Sequence, residues 1–155
     1  MKSLLAIVLL IVVCDAYEEP DSYLGRLEEC SSGPEHKFDT LVAPACSGED
    51  CFAFPGGYFH LIFSGKNRGE HYTGVSAWAH IQGIDHPEDA FYYSSGCQDD
   101  WTSYPCVAKP NENINGRLAI KFPEGFKKGL TRIILQIDGV GCGMMYIRVG
   151  SLSLK

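Results

Sequence analysis

Residues 131–149 read TRIILQIDGVGCGMMYIRV. Thr131 to Asp138 is a continuous run of β-branched and aliphatic residues alternating with polar ones, and Met144 to Val149 is a second. Between them, Gly139-Val140-Gly141-Cys142-Gly143 is too glycine-rich to continue a strand and has no phosphate-loop pattern. Two strand patterns joined by glycines read as a β-hairpin. A cysteine in that connection lets the hairpin be tied to a distant part of the chain.

The same period of two recurs upstream. Tyr58 to Phe63 is aromatic and β-branched and runs into Ser64-Gly65. Val75, Ala77, Ala79 and Ile81 fall on one side of another strand, with Ser76, Trp78, His80 and Gln82 on the other. Leu118, Ile120 and Phe122 alternate with Arg117, Ala119 and Lys121 until Pro123 stops the run. Weaker strands are expected at 37–42 and at Phe91 to Tyr93. No amphipathic helix of three turns is present, and Gly125 to Gly129 has room for one turn at most. Short alternating strands between Gly, Pro and Asn turns predict an all-β fold, an immunoglobulin-like antiparallel sandwich of two sheets.

The first sixteen residues set the compartment. A basic start, Met1-Lys2-Ser3, precedes the apolar run Leu4 to Val13, and Cys14-Asp15-Ala16 supplies a small residue for cleavage. The run is too short to span a bilayer. It reads as a secretory signal peptide cut after Ala16. Residues 17–155 then form one domain of ordinary size. The expected destination is extracellular, or an endosomal-lysosomal lumen.

The net charge of −6, with no basic cluster beyond Lys127-Lys128, excludes nucleic-acid binding. It also argues against simple adhesion to anionic membranes.

Beyond Cys14, six cysteines remain: Cys30, Cys46, Cys51, Cys97, Cys106 and Cys142. Six cysteines allow fifteen pairings, and spacing alone does not choose among them. Loop closure favours some. Cys46 and Cys51 bracket a tight polar loop, Cys97 and Cys106 bracket another, and Cys30 is left with Cys142. That last bridge would close about 110 residues, worth on the order of 4–5 kcal/mol by loop entropy.

Glu29-Cys30, the stretch Ala43-Pro44-Ala45-Cys46-Ser47-Gly48-Glu49-Asp50-Cys51, Gly57, Phe63, Gly96-Cys97, Cys106, Pro123, Ile133 to Ile137 and Cys142 form a pattern along the mature chain. On these residues the chain resembles the ML-domain lipid-recognition family, that of the soluble Niemann–Pick type C sterol carrier and the group 2 mite allergens. The resemblance implies the pairings Cys30–Cys142, Cys46–Cys51 and Cys97–Cys106. It also implies two sheets with a lipid held between them.

By the resemblance, the lipid-contacting residues are Phe122 and Phe126, which flank Pro123 as the family's apolar and aromatic mouth residues flank theirs. The small row Val75, Ala77, Ala79 and Ile81 would form one wall, and Leu118 and Ile120 the other. Periodicity alone favours a solid interdigitated core for these residues; the resemblance implies a slot. The loop Gly83 to Phe91 departs from the carrier, being acidic at Asp85, Glu88 and Asp89 where the carrier is apolar. Either Phe91 or Ile84 stands in for the family's loop aromatic. The Cys97–Cys106 loop is longer than in the carrier.

Catalytic signatures are weak. His36, His60, His71, His80 and His86 are scattered, with no metal spacing. Gly74-Val75-Ser76-Ala77-Trp78 lacks the last glycine of a nucleophile elbow. Asp85, Glu88 and Asp89 read first as a solvated loop and second as a calcium site. Trp101 and Tyr104 read equally as an exposed pair or as core caps.

The chain is therefore expected to be a non-enzymatic, monomeric lipid-binding or lipid-transfer protein without a cofactor or metal. Its ligand would be a sterol, fatty acid or phospholipid, handed to or from a membrane or receptor protein. The alternative is a secreted recognition protein that senses microbial lipid and engages a receptor.

Overall fold

The structure, a computed structural model, describes residues 27–30, 38–47, 50–71, 73–99 and 101–150. The expected leader and His36 lie outside them. Among the described residues there is no helix, and so none long and apolar enough to cross a membrane.

The strands are β1 (Leu27–Glu29), β2 (Thr40–Val42), β3 (Cys46–Ser47), β4 (Asp50–Ala53), β5 (Tyr58–Lys66), β6 (Thr73–Gly74), β7 (Ala77–Gly83), β8 (Ala90–Ser95), β9 (Gln98–Asp99), β10 (Thr102–Ser103), β11 (Val107–Ala108), β12 (Asn113–Lys121), β13 (Gly129–Ile137) and β14 (Gly141–Val149). One sheet runs β3-β4-β14-β13-β7-β8, with β1 added alongside β14. The second runs β2-β5-β12-β10-β9, and β11 pairs with β6 in a small ribbon. Pairing is antiparallel except between β4 and β14, where Phe52 and Ala53 run parallel to Arg148 and Val149. The fold is the expected two-sheet sandwich.

The hairpin at 131–149 is tighter than its glycines suggest. Ile137 pairs with Gly141, so only Asp138, Gly139 and Val140 make the turn. Gly139 sits at φ 73, and a Cβ there would meet the Thr73 side chain at 2.5 Å. Glycine is required at that one point. The remaining glycines are strand residues, so β14 starts three residues before Met144. Cys142 thus lies within a strand, bridged to Cys30. Cys46–Cys51 and Cys97–Cys106 are the other bridges. Three such bridges are consistent with an oxidising compartment.

Other strands also exceed their sequence limits. β5 continues through Ser64-Gly65 to Lys66, and β12 starts at Asn113. The two are paired over nine residues, from Asn113 opposite Lys66 to Lys121 opposite Tyr58. Long mutual pairing carries polar and glycine positions that a lone strand would not hold. Gly65 and Gly116 are also packing positions. A Cβ on Gly65 would sit 2.3 Å from Val140, and one on Gly116 would sit 2.4 Å from the Phe63 ring and 2.6 Å from Tyr104.

The core lies between the sheets. Phe59, Leu61 and Phe63 of β5 face Ile133, Leu135 and Ile137 of β13 and Met145 and Ile147 of β14 within one buried cluster. Each such side chain contributes about 1.5–3 kcal/mol on burial.

Candidate functional site

All eight candidate lipid-contacting residues lie in the space between the sheets. Ala77, Ala79 and Ile81 point inward from β7, and Leu118 and Ile120 inward from β12. Val75 is buried with them but precedes β7; its N–H donates to the Cys106 carbonyl at 2.9 Å. The β7 row therefore begins at Ala77.

Inner rows cross the first sheet in register. Phe91, Ile81 and Ile133 are Cα partners, then Tyr93, Ala79 and Leu135, then Ser95, Ala77 and Ile137. The alanines thus form a shallow band between larger neighbours. Beyond the Phe91 row stands an aromatic cluster. Phe122 and Phe126 meet edge-on, centroids 5.3 Å apart. Phe91 meets each of them edge-on at 5.6 Å. Phe122 is 1% exposed and Phe126 7%, while Phe91 is only partly buried. Edge-to-face pairs of this kind add about 0.5–1.5 kcal/mol each beyond area burial.

The structure separates the two residues that the sequence left open. Phe91 joins the Phe122–Phe126 pair, whereas Ile84 is 38% exposed. The signal was the alternation Phe91, Tyr93, Ser95, which matches the inner row of β7.

The acidic loop beside this cluster is a latch. The Asp89 carboxylate accepts the Lys127 N–H at 2.8 Å, and the Asp85 carboxylate accepts the Leu130 N–H at 2.9 Å. Glu88 pairs with the Lys127 ammonium. The loop after β7 thus pins the loop after Pro123, the segment that carries Phe126. The Lys127 ammonium holds the Glu88 carboxyl below its ordinary range, and Glu88 raises Lys127 in return. No group of metal-binding side chains forms among the described residues. The three carboxylates are engaged with backbone N–H groups and an ammonium, a role that local sequence does not signal.

One side of the sandwich is closed by side chains. Beyond the single β10–β12 pair at Ser103 and Arg117, the Ala119 backbone is met by Thr102 Oγ1, which accepts its N–H at 3.1 Å. The Tyr93 hydroxyl donates to the Ala119 carbonyl at 2.7 Å and ties the two sheets together.

Trp101 and Tyr104 divide the two roles proposed for them. Tyr104 is buried; its hydroxyl donates to the Ser95 carbonyl at 2.7 Å and accepts the Ala77 N–H at 3.2 Å. Burial pushes that phenol above its ordinary range. Trp101 is 65% exposed, sits at φ 64, and meets His60 edge-on on the outer face of the second sheet. His80 stacks on Tyr92 on the outer face of the first sheet, so these histidines do not converge.

A separate open depression of about 430 Å3 lies on the outer face of the second sheet. Thr40, Ile62, Ser64, Ser103, Asn115 and Arg117 line it.

No family model and no curated protein matches the sequence. Solved structures do match its fold. A Niemann-Pick type C2 protein from the Japanese carpenter ant superposes with a TM-score of 0.58 at 14% identity, covering 80% of this chain and 98% of that one. A Pseudomonas fluorescens alkylpurine DNA glycosylase, AlkC, superposes with a TM-score of 0.53 at 11% identity. It covers 77% of this chain, which spans 31% of the glycosylase. The chain has the fold of the Niemann-Pick type C2 protein over nearly that protein's whole length.

Proposed function

We propose that the chain is a secreted or lumenal lipid carrier that holds one hydrophobic lipid between its two sheets and does no chemistry on it. The observation that carries this reading is the Phe91–Phe122–Phe126 cluster, placed between the sheets next to the band of Ala77 and Ala79. Parting the sheets at that end would open an apolar slot lined by flat rings and small side chains, which suits a sterol, a fatty acid or an acyl chain. The likeness to the carpenter-ant protein and the three disulfides support it. Transfer of a fluorescent lipid between vesicles tests it: transfer should rise in proportion to protein, and the lipid should emerge chemically unchanged.

The second reading is a recognition protein that senses lipid and engages a receptor. One observation favours it: Trp101, exposed and in the left-handed region, stands within the disulfide-closed segment 97–106. Lipid-dependent complex formation without vesicle transfer would select this reading over the first.

A further inference from the structure

Arg117 lies in mid-strand on the outer face of β12, opposite Ile62 of β5 and Ser103 of β10. Asn115, two residues back on the same face, is opposite Ser64, which is opposite Thr40. Thr40 and Ser64 share a hydrogen bond of 2.6 Å. Among the described residues, no hydrogen bond or ion pair engages the side chains of Ser103, Asn115 or Arg117. Three other cations find acceptors: Arg68 pairs with Asp39 at 2.9 Å, Arg132 bonds Gln82, and Lys127 pairs with Glu88. Carboxylates are not scarce in a chain with 19 acidic and 13 basic residues. The depression therefore gathers a planar guanidinium, an amide and hydroxyls from four strands, with no acid among the described residues that line it.

Such a donor-rich set matches an oxyanion. A carboxylate offers two oxygens in one plane, and the guanidinium fork engages both of them. A phosphate keeps further acceptor oxygens for Ser103, Asn115 and the Thr40–Ser64 pair. Ile62 and its strand partner Val42, both about half exposed, add an apolar shoulder beside the donors.

We propose that this depression is a second ligand site, on the outer face and separate from the space between the sheets, that takes a phosphate group. The phosphate comes either from a free phosphate ester or from a phospholipid headgroup. The site stands whether or not the interior holds a lipid.

Two probes separate the sources. Inorganic phosphate and glycerol phosphate, titrated into isotope-labelled protein, report free-ester binding through the backbone amides of 62–64, 103 and 115–117. Flotation with phosphatidylcholine vesicles, with and without phosphatidic acid, reports headgroup binding. Saturation by either probe, with Arg117→Gln lowering affinity at least about tenfold and Lys121→Gln by less than about twofold, is the expected result. Lys121 is an exposed cation on the same face, so it controls for general attraction. The probe that saturates names the source. No saturation by either probe, or equal losses in the two variants, overturns the site.

Discussion

The Lys127 N–H donates to the Asp89 carboxylate at 2.8 Å, which ties the loop after β7 to the loop that carries Phe126. The bond joins residues 38 apart in sequence at the aromatic end of the sandwich. Asp89→Ala should free the Lys127 amide and cost about 1.5 kcal/mol, the low end for a hydrogen bond to a charged group because this one is exposed. Asp89→Asn keeps an oxygen acceptor and should cost less. Hydrogen exchange at Phe126 and Lys127 reads both; unchanged protection in Asp89→Ala would show that the loop is held elsewhere.

The neighbouring Glu88–Lys127 pair gives the latch a pH window. The Glu88 carboxyl is lowered by the Lys127 ammonium, so its contribution is present above the ordinary carboxylate range and lost as pH falls through its folded value. Lys127 is raised, so its contribution is present below the ordinary lysine range and lost as pH rises through its folded value. Latch order should therefore be greatest between the two and should fall on acidification. Intrinsic-rate-corrected exchange across 84–90 and 124–130 should rise at acid pH in the wild type and change less in Glu88→Gln. A flat wild-type profile would contradict the window.

Phe126→Ala should weaken lipid binding while the three bridges and the sheets persist, at a cost to stability of about 3 kcal/mol. Phe91→Ala should act in the same direction, since its ring contacts both partners. Phe122 is a harsher probe. It is 1% exposed, and Phe122→Asp would bury a charge, so loss of the fold would accompany loss of binding. Calorimetric titration with a fluorescent fatty acid or sterol measures the first two variants. Undiminished affinity in both would remove the cluster from the site.

Much of this was legible in the sequence. The alternation of Ala77, Ala79 and Ile81, and of Leu118 and Ile120, gave the inner faces because a strand in a two-layer fold has only one buried side. Pro123 marked the end of the Leu118–Phe122 run, and Phe122 and Phe126 do meet across it. What was not legible depends on partners distant in the chain. Asp85 and Asp89 have the composition of a solvated loop; only the fold brings them to Leu130 and Lys127. The short β9, β10 and β11 carry no period of their own and exist because they dock beside longer strands or a ribbon partner. Arg117 looked like an ordinary outward residue until β5 and β10 placed it among uncommitted donors.

Gly116 tests the packing directly. Its missing Cβ lets the Phe63 ring and Tyr104 close over it, with those ring centroids 6.0 Å apart. Gly116→Ala should overpack this point and cost about 1–3 kcal/mol in denaturant unfolding. A neutral or stabilising result would mean that both rings give way freely.

Removing the Cys30–Cys142 bridge by paired serines should cost the most of the three. Its sequence separation is 112, against 9 for Cys97–Cys106 and 5 for Cys46–Cys51. Loop entropy assigns about 5, 3 and 2 kcal/mol in that order. Thermal unfolding of the three double mutants checks the ranking, and a larger loss from either local bridge would reverse it.

The central claim is that a lipid occupies the space between the sheets. Its most direct test is mass spectrometry, under non-denaturing conditions, of the protein purified from its native source. A complex of one protein with one intact hydrophobic lipid is expected, with loss of that mass in Phe126→Ala. A folded, fully bridged protein that carries no lipid and takes up none from sterol, fatty-acid or phospholipid vesicles would contradict it.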